Sequence, residues 1–202
     1  TYFVFLMDTD KNIFCFGGNN SGQLGLGNYE NKNTPQKIIF DFEVVSFSCG
    51  GFFTVFLTID GEVYITGNCA DILVSRTPLK LNGLPKISKI SCGFDHLMCI
   101  DENNLLWTFG GNHFGELGIG HQNQMKLPVL VGQIKDATLM QNGGNRSIVK
   151  DGNDKIWVFG DNKCGSLGIK STTTCVCHPF ELPKEYSHIV GYELGGSRMK
   201  SA

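Results

Sequence analysis

Val55-Phe56-Leu57-Thr58-Ile59-Asp60-Gly61-Glu62-Val63-Tyr64-Ile65-Thr66-Gly67 is the stretch whose reading decides the fold of this chain. An apolar run meets an Asp-Gly pair, a second run follows, and a glycine ends it, which reads as strand, tight turn, strand and stop. Three other segments have the same form: Phe3 to Gly17, Leu97 to Gly110 and Ser147 to Gly160. Their turns are made of Asp, Asn or Gly, the residues that tolerate the positive φ of tight hairpins.

Two further markers recur with the hairpins. Thr34-Pro35, Thr77-Pro78, Leu127-Pro128 and His178-Pro179 each lead into alternating apolar residues, and proline, having no N–H for a ladder, suits the start of an edge strand. Ser48-Cys49-Gly50, Ser91-Cys92-Gly93, Gln141-Asn142-Gly143 and Glu193-Leu194-Gly195 mark the small-residue end of another strand. Each copy therefore offers four short strands. The hairpin-ending glycines Gly17, Gly67, Gly110 and Gly160 are spaced by 50, 43 and 50 residues. Copy two is shorter by seven residues between Gly67 and Pro78, in one loop alone, and surface connections absorb such deletions where cores do not. Four-stranded units repeating every 40 to 50 residues are the signature of propeller blades, and the period of two excludes helix-pair repeats. The reading is all-β: a β-propeller of four-stranded antiparallel blades, with four repeats of about 50 residues filling residues 1–202.

Composition agrees. Glycine supplies 26 of 202 residues, well above the usual share of roughly 7%. With 17 Lys+Arg against 19 Asp+Glu the chain lacks the basic field that binding to phosphate requires, so no direct nucleic-acid partner is expected. No apolar run approaches the length of a bilayer span, so no membrane contact is expected. Eight cysteines in 202 residues fall below the density of a disulfide scaffold and suit a reduced, intracellular setting, cytoplasmic or nuclear. The start at Thr1 fits a piece of a larger multidomain chain or complex.

The loops after three hairpins share Asn-x-x-Gly-x-Leu-Gly-[Leu/Ile]: Asn19 to Leu26, Asn112 to Ile119 and Asn162 to Ile169. Glycines there permit compact left-handed turns, the Asn can bond neighbouring backbone, and the aliphatic residues pin the loop to the blade. With Gly22-Gln23-Leu24-Gly25 in copy one, and Cys92-Gly93-Phe94-Asp95-His96 preceding Trp107-Thr108-Phe109-Gly110 in copy three, the chain closely resembles the regulator-of-chromosome-condensation family over essentially its whole length. That resemblance implies a seven-bladed wheel, of which four copies would form an arc. It also implies either a protein-binding platform or guanine-nucleotide exchange on a Ran-like small GTPase, the activity of the family's founding member. Copy two departs from the pattern, with Asn68-Cys69-Ala70-Asp71-Ile72-Leu73 in place of the glycine-rich loop. The family histidine survives only as His96, with Phe53, Arg146 and Arg198 at the matching places.

Those four residues, together with Asp95, are the candidate binding set. One repeat apart, they should project from the same end of successive innermost strands, where they either bond carbonyls around the central channel or form part of a binding face. Cys49 and Cys92 occupy one repeat position and read as small buried hydrophobes. Cys164, Cys175, Cys177 and His178 could be a ligand set, yet Cys-x-Cys is not the usual chelating knuckle and Pro179 marks an ordinary strand start, so no metal is assigned. No nucleophile with an attendant base, phosphate-cradling loop or paired carboxylates can be found, so no catalytic residue and no cofactor is assigned. The expected function is a rigid scaffold, not an enzyme, that binds a protein partner through loops on one face, with exchange on a small GTPase as the alternative.

Overall fold

The computed structural model describes residues 2–188, so Arg198 and the strand expected to end at Gly195 lie outside the described residues. Four antiparallel sheets follow one another along the chain. The first holds β1 (Phe3–Met7), β2 (Ile13–Gly17) and β3 (Lys32–Ile38). The second holds β4 (Val44–Cys49), β5 (Phe53–Thr58), β6 (Val63–Cys69) and β7 (Leu73–Lys80). The third is β8 (Ile87–Cys92), β9 (His96–Asp101), β10 (Leu106–Gly110) and β11 (Met125–Leu130). The fourth is β12 (Ala137–Gly143), β13 (Arg146–Asp151), β14 (Ile156–Asp161) and β15 (Cys175–Glu181). Strands run in chain order within every sheet, and the sheets stand side by side as blades of a propeller arc. The strand that ends in Ser-Cys-Gly opens the following sheet, so the first sheet has three strands among the described residues.

The hairpins form as the turn residues dictate. Lys11, Gly61, Asn104 and Asp154 fill one turn position and are all left-handed, with φ of 66, 79, 60 and 61°. The anchor is the last residue of the preceding strand. Asp101 accepts N–H bonds from Asn103 and Leu105 on one oxygen and the Trp107 indole N–H on the other. Asp151 does the same for Asn153, Lys155 and Trp157. Pro35, Pro78, Pro128 and Pro179 sit inside β3, β7, β11 and β15 rather than at their starts. Each lies where the pairing register slips, between Cys15 and Gly17, Ile65 and Gly67, Thr108 and Gly110, Val158 and Gly160. A residue without an N–H is tolerated where the ladder is already broken by a bulge.

The core lies between blades. Phe5, Cys15, Leu24 and Phe56 bind the first blade to the second; Phe53, Val55, Cys92, Leu97 and Phe109 bind the second to the third; Met98, Ile100, Val149 and Phe159 bind the third to the fourth. Of the first strands, β8 touches both β4 and β12. Ser48 Oγ accepts the Cys92 N–H at 2.9 Å and Ser91 Oγ accepts the Asn142 N–H at 3.0 Å, so the small side chains of the marker let neighbouring backbones approach.

The glycine-rich loops join blade to blade. Asn19, Asn112 and Asn162 are buried, and each accepts the N–H of the loop leucine, Leu24, Leu117 or Leu167, on its side-chain oxygen. Their amide N–H groups donate to carbonyls at the far side of the loop, including Asn28, His121 and Thr173. The loop then crosses to the next blade's outer strand, where the Gly27 N–H donates to the Arg76 carbonyl and the Gly120 N–H to the Cys177 carbonyl, both at 2.8 Å. Thr54 Oγ1 and Ser147 Oγ hold the same loops by donating to the carbonyls of Gln23 and Glu116. In the third blade this hydroxyl position is Leu97, and the preceding loop is the shortened one of copy two.

Candidate protein-binding face

Each second strand opens at a tight turn that follows the glycine of the first strand. The Gly50 N–H donates to the Phe53 carbonyl and the Gly93 N–H to the His96 carbonyl, both at 2.8 Å. A side chain at Gly50 would put its Cβ 2.1 Å from the Phe53 ring, and one at Gly93 would put it 2.0 Å from the His96 ring. The glycine is therefore required by the ring lying over it. Successive turns are stitched together: the Gly51 N–H donates to the Phe94 carbonyl at 2.8 Å and the Phe94 N–H to the Gly144 carbonyl at 2.7 Å. The residue after each stitch anchors the start of a loop, since the carbonyls of Phe52, Asp95 and Asn145 accept the N–H groups of Asn68, Gly111 and Asp161. The result is a rigid hub from which the loops radiate.

The hub separates the candidate residues. Phe53 and His96 open β5 and β9, the second strands and not the innermost ones, and both are 0% exposed. They are pegs between blades and offer no surface to a partner, because the ring of each is folded over the turn glycine. The His96 Nε2 lies 3.0 Å from Ser147 Oγ, whose hydrogen is committed to the Glu116 carbonyl. Ser147 Oγ is therefore placed to accept from Nε2, and Nδ1 is buried on the side of Asn142. Burial pushes this imidazole down to about 4, against a smaller opposite pull from Asn142.

Asp95 and Arg146 remain half-buried on the hub. Burial holds the Asp95 carboxyl above its ordinary range; His113 acts against that shift and Asp71 adds to it. Arg146 donates from Nε to the Gly143 carbonyl at 3.3 Å. Beside them, Phe52 and Phe94 meet edge to face at 5.5 Å and 83°. Sequence reasoning missed this aromatic pair. Its signal was the position just after the turn glycine, where Phe94 replaces the glycines at Gly51 and Gly144. Glu116 is buried; its carboxylate accepts the Phe114 N–H at 2.6 Å, and burial raises its pKa.

The cysteines divide by position. Cys92 is buried as expected, whereas its counterpart Cys49 is exposed among the described residues. Cys175 and Cys177 lie two residues apart on β15, Cys177 against Gly115, and the His178 ring packs over Gly120. Among the described residues no group of three or more His, Cys, Asp and Glu side chains converges to hold a metal ion.

The profile of the Regulator of chromosome condensation (RCC1) repeat matches residues 10–57, and a second profile of the same repeat matches residues 87–116. The human E3 ubiquitin-protein ligase HERC2 is 32% identical over 138 residues, which are 62% of this chain and 3% of that protein. The zebrafish (Danio rerio) Protein RCC2 homolog is 30% identical over 125 residues, 56% of this chain and 25% of that protein. The chain thus spans a quarter or less of either relative. Prp20p from Saccharomyces cerevisiae, whose crystal structure was described with its binding to Gsp1p and histones, shares the fold with a TM-score of 0.81 over 96% of this chain and 51% of that chain, at 22% identity. The repeats and the loop motif held by its buried asparagines agree with these matches: the chain carries repeats of the Regulator of chromosome condensation (RCC1) type.

Proposed function

We propose that this chain is a protein-binding module that engages its partner through the hub face, with Phe52, Phe94, Asp95 and Arg146 as the contact residues. The reading rests on one observation. The backbone hydrogen bonds from Gly51 through Phe94 to Gly144 tie together the turns that carry a half-exposed aromatic pair and two charged side chains, and such preorganisation lowers the ordering cost of binding. Arg198, at the matching repeat position, is proposed as a further member of the same face. A rigid aromatic and arginine patch with a polar surround is the composition of interface hot spots. The work assigned to this face is binding, in an intracellular setting and within a larger protein or complex, and no bond-making chemistry is assigned to it.

The alternative, exchange on a Ran-like GTPase, is favoured by the likeness to Prp20p, a protein described with its binding to Gsp1p. Exchange requires a face that prefers the nucleotide-free GTPase, since the shift obtained equals the difference in affinity between the two states. Affinity capture with wild-type protein, Phe52→Ser, Asp95→Asn and Arg146→Gln tests the main reading, with folding checked by circular dichroism. A partner retained by wild type and lost by at least two folded variants is the expected result; undiminished capture by all three overturns the assignment of the face. Accelerated release of a fluorescent guanine nucleotide from any small GTPase would instead favour exchange.

A further inference from the structure

We propose that Cys175 and Cys177 form a two-coordinate site for a soft monovalent cation, Cu(I) or its analogue Ag(I). The two thiols stand two residues apart on β15, Cys175 in register with Asp161 and Cys177 at the edge of the bulge that carries Pro179, and both border the loop of the preceding blade, Cys175 at Gln122 and Cys177 at Gly115. Both are partly exposed, unlike Cys15, Cys69, Cys92 and Cys99, which are buried and serve as small hydrophobes. The repeat supplies its own controls. The register of β14 with β15 sets Cys175 and Cys177 at the places held by Asn31 and Asn33, Val74 and Arg76, and Gln124 and Lys126 in the other blades. The fold thus has no need of sulfur there.

Burial, and after it the neighbouring Cys175, raises the Cys177 thiol above its ordinary range, so Cys177 keeps its proton until a cation displaces it. A disulfide is not available to them, because it needs Cβ atoms about 3.5–4.5 Å apart whereas alternate Cβ atoms of an extended strand are separated by roughly two rises of about 3.3 Å. A linear S–metal–S unit spans about twice a metal–thiolate bond of ~2.3 Å, which side-chain rotation on one strand can reach. Thiolates also select Cu(I) over harder ions. The surroundings suit a low coordination number. Gln122 Nε2 donates to Cys175 Sγ at 3.0 Å and to the His113 carbonyl, which leaves a donor in place to stabilise the thiolate. Gly115 lies against Cys177, where a Cβ would come within 2.8 Å of the sulfur, so this part of the loop places no side chain over it. His178, the nearest imidazole in sequence, packs its ring over Gly120. Binding exchanges two protons for one cation: both S–H bonds break, two S–metal bonds form, two protons leave to solvent and no electron is transferred.

The test is an anaerobic titration of the whole chain with Cu(I) buffered by the coloured chelator bicinchoninate. Wild type should withhold one equivalent from the chelator, and Cys175→Ser and Cys177→Ser should each lose it, while Cys49→Ser and Cys164→Ser keep it. A second measurement needs no variant: Ag(I) bound at one equivalent should protect Cys175 and Cys177 from alkylation in the native protein, read by peptide mass spectrometry. The proposal is overturned if wild type fails to compete with the chelator, if the tight equivalent follows Cys49 or Cys164, or if silver protects other cysteines first.

Discussion

The hydroxyl of Thr54 donates a 2.9 Å hydrogen bond to the carbonyl of Gln23, which belongs to the neighbouring blade. Ser147 repeats the contact with Glu116, and Leu97 stands in the same place where the loop that would be held has been shortened. Hydroxyl and loop length therefore vary together within one chain. Thr54→Val should destabilise the protein by about 1–3 kcal/mol, because it leaves a buried carbonyl without its donor. Leu97→Thr should also destabilise, since it buries a hydroxyl with no loop to receive it. Urea unfolding of both variants checks the pair, and an unchanged midpoint for Thr54→Val would show that the contact is incidental.

Asn112 fastens both ends of its loop, accepting from Leu117 and donating to His121 and Asn123. Asn112→Ala removes these bonds at a buried position, and a loss of about 2–3 kcal/mol is expected from the unpaired groups left behind. Because the loop also crosses to β15, proteolytic cleavage between residues 113 and 124 should quicken before global unfolding does. Equal cleavage rates in wild type and variant would mean that Gly120 and Ser147 suffice to hold the loop.

Much of this was legible beforehand, and the failures share one cause. Hairpins, glycines and the loop asparagines act within a few residues, so their signals sit in contiguous sequence. The prolines were found, yet their place inside β3, β7, β11 and β15 depends on a bulge that only pairing with the next strand reveals. His96 and Phe53 looked like face residues because the repeat places them at one level. Whether a ring points outward or folds over Gly93 or Gly50 is decided by packing between blades, which a single repeat does not encode.

The buried His96 predicts a pH dependence with a definite sign. Its folded value of about 4 lies below an unfolded value of about 6.5. The unfolded chain therefore binds the proton first, and stability that is complete above pH ~6.5 is lost as pH falls toward ~4, by about 3 kcal/mol at most. Asp95 and Glu116 act in the opposite direction, since burial raises both carboxyls and their protonation favours the folded state. Unfolding free energies at pH 7 and pH 4.5 should thus converge in His96→Gln relative to wild type. A difference between the two pH values that is the same in both proteins would exclude His96 as the titrating group.

Glu116 stands where copy one has Gln23, and both are buried. Each uses a side-chain oxygen to accept a loop N–H, from Phe114 and Ser21 respectively. Glu116→Gln keeps that bond and removes a carboxylate whose charged form burial disfavours. The variant should match or exceed wild-type stability at pH 7, by about 1 kcal/mol, with the gain shrinking as acid protonates the wild-type carboxyl. A loss of stability at pH 7 would mean that the new amide N–H groups, like those of Gln23, are buried without an acceptor.

Gly50 and Phe53 provide the sharpest test of the hub. A Cβ at Gly50 would come within 2.1, 2.5 and 2.5 Å of three atoms of the Phe53 ring, and these are its three nearest contacts. The backbone there is not in the left-handed region, so alanine introduces no conformational strain of its own. Gly50→Ala should therefore cost several kcal/mol, about the range of severe overpacking, entirely through the ring it displaces. Phe53→Ala alone should cost about 3–5 kcal/mol by opening a cavity in the seam between the second and third blades. In the double variant the clash has no partner and the added methyl fills part of that cavity. Its cost should fall below the sum of the single costs, giving a coupling of at least 1–2 kcal/mol. Gly93→Ala paired with His96→Ala should couple less completely, because there the Gly144 carbonyl at 2.8 Å still opposes the new Cβ after the ring is gone. Additive costs at Gly50 and Phe53 would show that the glycine serves the backbone and not the ring.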